Sequence, residues 1–155
     1  MTLSSDLISF EARIENVLKR AEEADLDDEL RSSLARFACV LTSGYLEEAM
    51  RVVVGSWCGG KSHPQIHAYV SRQLDWFSNP KLGKILDELS HFSPAWRKAF
   101  EGELTDEEKD AVNSVVNNRH QIAHGRNVGV SPVPMREYFD ECKSVVRKLD
   151  AVVNS

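Results

Sequence analysis

The chain has 155 residues, 42% of them hydrophobic and 28% charged, with a formal net charge of −5. That length suits one domain with a core of its own, and the apolar share excludes a disordered chain. The acidic balance excludes a broad basic face, so any nucleic-acid site has to be local. A first helix is expected from about Ser5 to Glu23, with Ile8, Ala12, Ile14 and Leu18 as its stripe. Asp25 to Asp28 breaks it, and Asp27 suits the N-cap of the next helix. That second helix, about Asp28 to Trp57, is the longest and most apolar. Leu34, Phe37, Ala38, Leu41, Tyr45, Leu46, Ala49, Val52 and Val53 recur at threes and fours. Glu47 and Glu48 fall within this pattern. A carboxylate there is either solvated or paired with a cation, and the pairing of interest is with Arg119 or a histidine.

Ser62-His63-Pro64 starts another helix, with Ser62 as cap and Pro64 in the first turn, ending near Ser78-Asn79-Pro80. His63 and His67 are four apart, but two histidines without a third ligand are more often packing or surface residues than a zinc site. Leu82, Ile85, Leu86 and Leu89 mark the following helix. Ser93-Pro94 opens a short one with Trp96 and Phe100. Thr105-Asp106-Glu107-Glu108 has the form of a capping box, and it launches a helix through Ala111, Val112, Val115, Val116 and Ile122. Asn127 to Pro134 reads as a loop. About Met135 to Val153 closes the chain, with Tyr138, Phe139, Cys142, Val145, Val146, Leu149 and Val152 as its stripe. Cys39, Cys58 and Cys142 are odd in number and lack the spacing of metal ligands, which points to a reducing cytosol. Met1 to Phe10 lacks the basic start and apolar run of a signal peptide, and no apolar run approaches the roughly 20 residues of a membrane span. The expectation is a cytoplasmic chain without membrane contact.

Gly55 to Ser62 matches G-x-x-x-x-G-K-[ST], the phosphate-cradling P-loop. That loop has to join a buried strand to a helix. Here the residues before it have helical periodicity, and no later segment reads as a set of parallel strands or ends in an Asp suited to magnesium. A glycine-rich helix–helix connection is the preferred reading, with nucleotide binding as the alternative.

The chemistry concentrates in Asn117-Asn118-Arg119-His120-Gln121-Ile122-Ala123-His124-Gly125, at an expected helix C-terminus. His120 and His124 are four apart and share a helix face. Arg119 and His124 lie roughly 140° apart around the axis, so a two-fold pairing of the helix would let Arg119 of one copy meet His124 of the other. Histidine titrates near neutrality and serves as acid or base. Arginine stabilises charge developing on phosphoryl oxygens. Together, without a metal, they suit transesterification of RNA by its 2′-hydroxyl. The negative end of the helix dipole opposes an anion, and Arg119 has to offset it with the help of Arg126. The same dipole favours positive charge on the last turn, which suits a general acid. The plainer reading is that Arg and His here only complement the dipole and bind the last carbonyls.

Arg119 to Gly125 resembles the R-x(4–6)-H motif of the HEPN superfamily, with a polar residue after the Arg and a glycine after the His. The closer resemblance is to HEPN domains of the RiboL-PSP and MAE type. Ser43-Gly44-Tyr45-Leu46-Glu47-Glu48 and Phe77-Ser78-Asn79-Pro80 are similar to stretches of those domains as well. His120 stands where Asn or Asp is more usual. The resemblance implies an all-α bundle of about five to six helices around a long central second helix. It implies a metal-independent endoribonuclease of the toxin or defence type, acting on RNA without a cofactor. It further implies a homodimer and, in toxin systems, an antitoxin partner. Arg119 and His124 are then the catalytic candidates and His120 a supporting one. Asn118, Glu47, Glu48 and Arg126 are candidates for orienting the site or touching RNA. A non-catalytic HEPN dimerisation or partner-binding module is the alternative.

Overall fold

The computed structural model describes residues 3–23 and 25–155. Met1 and Thr2, with which the reading of the first ten residues begins, lie outside it, as does Ala24. Among the described residues all regular structure is helical: α1 (Ser5–Ala21), α2 (Asp28–Gly59), α3 (Pro64–Asp75), α4 (Leu82–Phe92), α5 (Pro94–Glu103), α6 (Asp106–Ala123) and α7 (Pro132–Val153). The count is seven, as the chain-order reading of the sequence has it, where the family resemblance implies five to six. Breaks marked by Pro64, Pro80 and Pro94 cut the middle of the chain into three separate helices.

Local chemistry explains most boundaries. The Asp27 carboxylate accepts from the Leu30 N–H and caps α2; the Ser93 hydroxyl accepts from the Trp96 N–H and caps α5. The capping box forms in full, Thr105 bonding the Glu108 N–H and Glu108 the Thr105 N–H. Two expectations need correction. The cap of α3 is His63, not Ser62, because the Ser62 hydroxyl donates at 2.8 Å to the Cys58 carbonyl and closes α2 instead. Helix α7 begins at Pro132, three residues early, since both prolines fall in its first turn, where backbone N–H groups have no intrahelical partner to lose.

Helix α2 packs on α1, α3, α6 and α7, and so is the central element expected from its composition. In α1 the core-facing stripe is Leu7, Ile14, Leu18 and Ala21; Ile8 and Ala12 face solvent, as does Phe37 of α2 at 50% exposure. Leu7 and Ile8 fit a helical period almost equally, and only packing separates them. A polar tie crosses the core edge. The Tyr45 hydroxyl donates to Glu11 and accepts from Arg147 at 3.2 Å, joining α2, α1 and α7. Burial pushes the Glu11 carboxyl up, but the bonds from Arg147 and Tyr45 outweigh it and hold it below the usual range.

Helix α6 is anchored along its length. At its start the buried Glu108 carboxylate takes bonds from Ser144 at 2.6 Å and Lys148 at 2.8 Å, both on α7. In the middle Ala111, Val112, Val115 and Val116 are buried, and the Cys39 thiol of α2 donates to the Val115 carbonyl at 3.4 Å. Near the end Ile122 packs against the core.

Candidate active site

The last turn of α6 is closed by backbone geometry. Gly125 has φ +69°, the left-handed conformation that favours glycine. Its N–H bonds the Ile122 carbonyl, and the Arg126 N–H bonds the Gln121 carbonyl, each at 3.0 Å. This pair of bonds is the Schellman closure. It leaves His124 as the C-cap, with φ −90° and ψ 12°. The usual apolar contact across such a closure is replaced here by a polar one. Arg126 Nη1 donates to Gln121 Oε1 at 2.7 Å.

The His120 and His124 rings are exposed and meet edge to face, with centroids 4.4 Å apart. Arg119 is half-buried, beside the point where Cys39 packs under α6. Among the described residues its guanidinium has no ion pair or hydrogen bond. The helix runs unbroken through Ala123, so Arg119 and His124 stay roughly 140° apart around its axis. Asn118 is half-buried next to Arg119. Burial pushes the Cys39 thiol up to about 12, so this sulfur is a packing group rather than a nucleophile.

The structure does not bring Glu47 and Glu48 to this helix end. Glu48 pairs with Arg51 at 3.0 Å; Glu47 approaches Arg51 at 3.9 Å and accepts from the Asn79 N–H at 3.2 Å. Cys39, which marks the level of Arg119, precedes Glu47 by eight residues, about 12 Å along α2. The two carboxylates hold the α3–α4 turn. A groove of about 750 Å³ between α5 and α7, lined in part by Trp96, Ala99 and Val152, is also remote from the histidines. Its cations are already engaged, Arg147 with Glu11 and Lys148 with Glu108.

The P-loop match has no strand before it. Gly55 to Gly59 are the last turns of α2, and Gly60 ends the helix at φ −80°. Lys61 lies over the Trp57 ring, 4.8 Å from its centroid. Gly59 packs closely on the His67 ring, since a Cβ there would stand 3.0 Å from Nε2 and the ring would have to give by a few tenths of an ångström. Among the described residues no three His, Cys, Asp or Glu side chains converge as a metal site would require.

One feature went unread in the sequence. Asn113, Asn117, His120 and His124 follow the spacing i, i+4, i+7, i+11 and fall within about 60° of arc on α6. Asn117 is exposed, and Asn113 Oδ1 accepts from the Leu82 N–H at 3.0 Å, capping α4 from another helix. The spacing is visible in the sequence; the bond to Leu82 is a product of tertiary packing.

No curated protein and no solved structure matches the chain. The profile of the RiboL-PSP-HEPN family matches residues 5–155, so the match takes in α1 through α7 and carries the Arg119-to-His124 segment with it. By that match the chain belongs to the RiboL-PSP-HEPN family.

Proposed function

We propose that the chain is a metal-independent RNA endonuclease whose site is the C-terminal end of α6. The observation that carries the reading is the joint placement of two exposed, touching histidines and a half-buried guanidinium that has no partner among the described residues, on a helix end fixed by a left-handed glycine. Family membership supports it, since HEPN domains are commonly RNases. The charge pattern supports it too. No Asp or Glu occurs between Asp110 and Glu137, a span that holds Arg119 and Arg126.

In this mechanism the 2′-hydroxyl attacks the adjacent phosphorus and loses its proton to water or to His120. Arg119 stabilises the charge on the pentacoordinate phosphate through its two-pronged donor. His124 protonates the departing 5′-oxygen. The products are a 2′,3′-cyclic phosphate and a 5′-hydroxyl. Because Arg119 and His124 lie on different sides of one helix, a homodimer that pairs two α6 ends would complete each site. Cytosolic action, and an antitoxin as a further partner, are part of the same proposal.

The test is incubation of purified protein with mixed RNA, with and without EDTA, beside thermal melts and light scattering. Cleavage persists in EDTA, and a 2′-deoxy residue at the cut blocks it. His124→Ala lowers cleavage by about 10²–10⁴-fold, the usual worth of a positioned acid or base. Arg119→Lys is also poor, and His120→Ala loses less. If His124→Ala folds, dimerises and cuts as well as the parent, the non-catalytic module becomes the better reading.

A further inference from the structure

The face of α3 turned away from α2 is aromatic and uncovered. Tyr69 is 65% exposed and Trp76 is 80% exposed. Arg72 and Trp76 are four residues apart, and Tyr69 is three before Arg72, so the three share one side of the helix. Only Leu74 of this helix is buried. The charge around it is also unlike the rest of the chain. From Val52 to Leu86 the basic residues are Lys61, Arg72, Lys81 and Lys84, against Asp75 alone. That span carries +3 while the whole chain carries −5, which leaves −8 for the remainder. Arg72 and Lys81 are exposed, and among the described residues no carboxylate pairs with either.

This surface connects to the histidines. Asn113 bonds the Leu82 N–H, which places Lys81 at the upper end of the polar stripe on α6. From Asn113 that stripe runs through Asn117 to His120 and His124, about 16 Å along the axis. Trp76 is the C-cap of α3, at the start of the turn that contains Lys81. The turn is fixed from below by Glu47, and its Ser78 carbonyl accepts from Lys84. The turn that carries Lys81 therefore links the exposed rings of α3 to the end of this stripe about 16 Å along α6 from His124.

We infer that the Tyr69–Arg72–Trp76 face of α3, continued by Lys81, is a binding platform for single-stranded RNA, held beyond the cleavage site. Aromatic faces take unstacked bases of any sequence, and interleaved cations take the phosphates between them. A protein helix fits the same face less well, because the unpaired Arg72 and Lys81 outnumber the exposed Asp75 and favour a polyanion. The inference rests on the RNase reading and adds to it that the substrate is unpaired and longer than the scissile dinucleotide.

The experiment uses a ten-nucleotide 2′-O-methyl oligonucleotide, which binds but has no attacking hydroxyl. Trp57 and Trp96 pack edge-on at 4.7 Å and are half-buried, so Trp76 is the exposed reporter. Binding quenches its emission. Trp76→Ala weakens binding about tenfold, within the range for loss of one base stack, and raises KM for a cleavable ten-nucleotide RNA by a similar factor. Trp76→Phe restores most of the affinity. Lys81→Gln lowers the slope of log K against log salt by about 0.7, the share of one phosphate on a single strand. If Trp76→Ala binds the oligonucleotide and shows the KM of the parent, the inference is overturned while the RNase reading stands on His124. If Trp76→Ala instead loses self-association and keeps its oligonucleotide affinity, the face is a protein contact and the inference is equally overturned. Quenching of Trp76 in a protein that cuts no RNA keeps the platform and removes the nuclease.

Discussion

Gly125 is the position where backbone geometry and chemistry meet, and Gly125→Ala tests the link. At φ +69° an added Cβ meets nothing within 4 Å, so the cost is conformational and not steric. Holding an L-residue in the left-handed region costs about 1–2 kcal/mol. Alanine recovers part of that by narrowing the unfolded ensemble, by about 0.4–1 kcal/mol. The net loss is then about 1 kcal/mol, which for a chain of this size lowers Tm by about 2–4 °C. Gly125→Asn loses less, because Asn enters this region more readily than Ala.

Activity responds more steeply than stability. His124 is the C-cap, and the Gly125 and Arg126 N–H bonds set the direction in which the chain leaves it. If alanine relaxes out of the left-handed region, both bonds break and the His124 ring turns away from His120. A displacement of about 1 Å can cost up to 10²-fold in rate, so about a tenfold loss is expected at a temperature where the variant is fully folded. Circular dichroism melts and RNA cleavage at 25 °C give the two readouts. An Ala variant that melts and cuts like the parent would refute the claim that this turn holds the site. A lowered Tm with unchanged cleavage would mean that His124 is held by something other than the closure.

Burial pushes the Glu108 carboxyl up, but Lys148, Ser144 and the Thr105 N–H outweigh it and hold it below its ordinary 4.5. A depressed folded pKa gives stability that is present above the unfolded value and lost as pH falls through the folded one. Tm should therefore drop on acidification below about 4.5, and Glu108→Gln should flatten that limb; parallel acid limbs for the two proteins would contradict the assignment. Lys61 lies over the Trp57 ring at the end of α2 and no strand precedes it, so Lys61→Ala should leave RNA cleavage nearly unchanged, and ATP should not bind tightly. Micromolar ATP affinity that disappears in this variant would restore the phosphate-loop reading of Gly55 to Ser62.

Elements governed by local chemistry were legible in the sequence. Asp27, Ser93-Pro94, the Thr105–Glu108 box and Gly125 each act through atoms within a few residues, and each stands where its residue type predicts. What depends on distant partners was not legible. Ser62 had two ways to spend its hydroxyl, and the Cys58 carbonyl took it. Glu47 and Glu48 fit a pairing with Arg119 as readily as one with Arg51, and only the packing of the α3–α4 turn on α2 decides between them. The cap of α4 comes from Asn113, 31 residues away in sequence. Neither residue carries a local sign of that contact.

A helix C-terminus is an unexpected place for a phosphate, since its free carbonyls carry partial negative charge and the N-terminus is the usual anion site. The structure reduces that opposition in two ways. The Gln121 and Ile122 carbonyls, which would otherwise face a ligand, are taken by the Arg126 and Gly125 N–H groups, and His124 N–H shares the carbonyls of His120 and Gln121. Arg119 and Arg126 then place two positive charges seven positions apart, in a span that holds no carboxylate. On the proposed reading the phosphate is held by the two arginines and not by the helix end itself, and the histidines serve proton transfer and not anion binding. If the chain does bind RNA, its net charge of −5 leaves little long-range attraction, and a local aromatic surface of the kind inferred on α3 would supply the missing affinity.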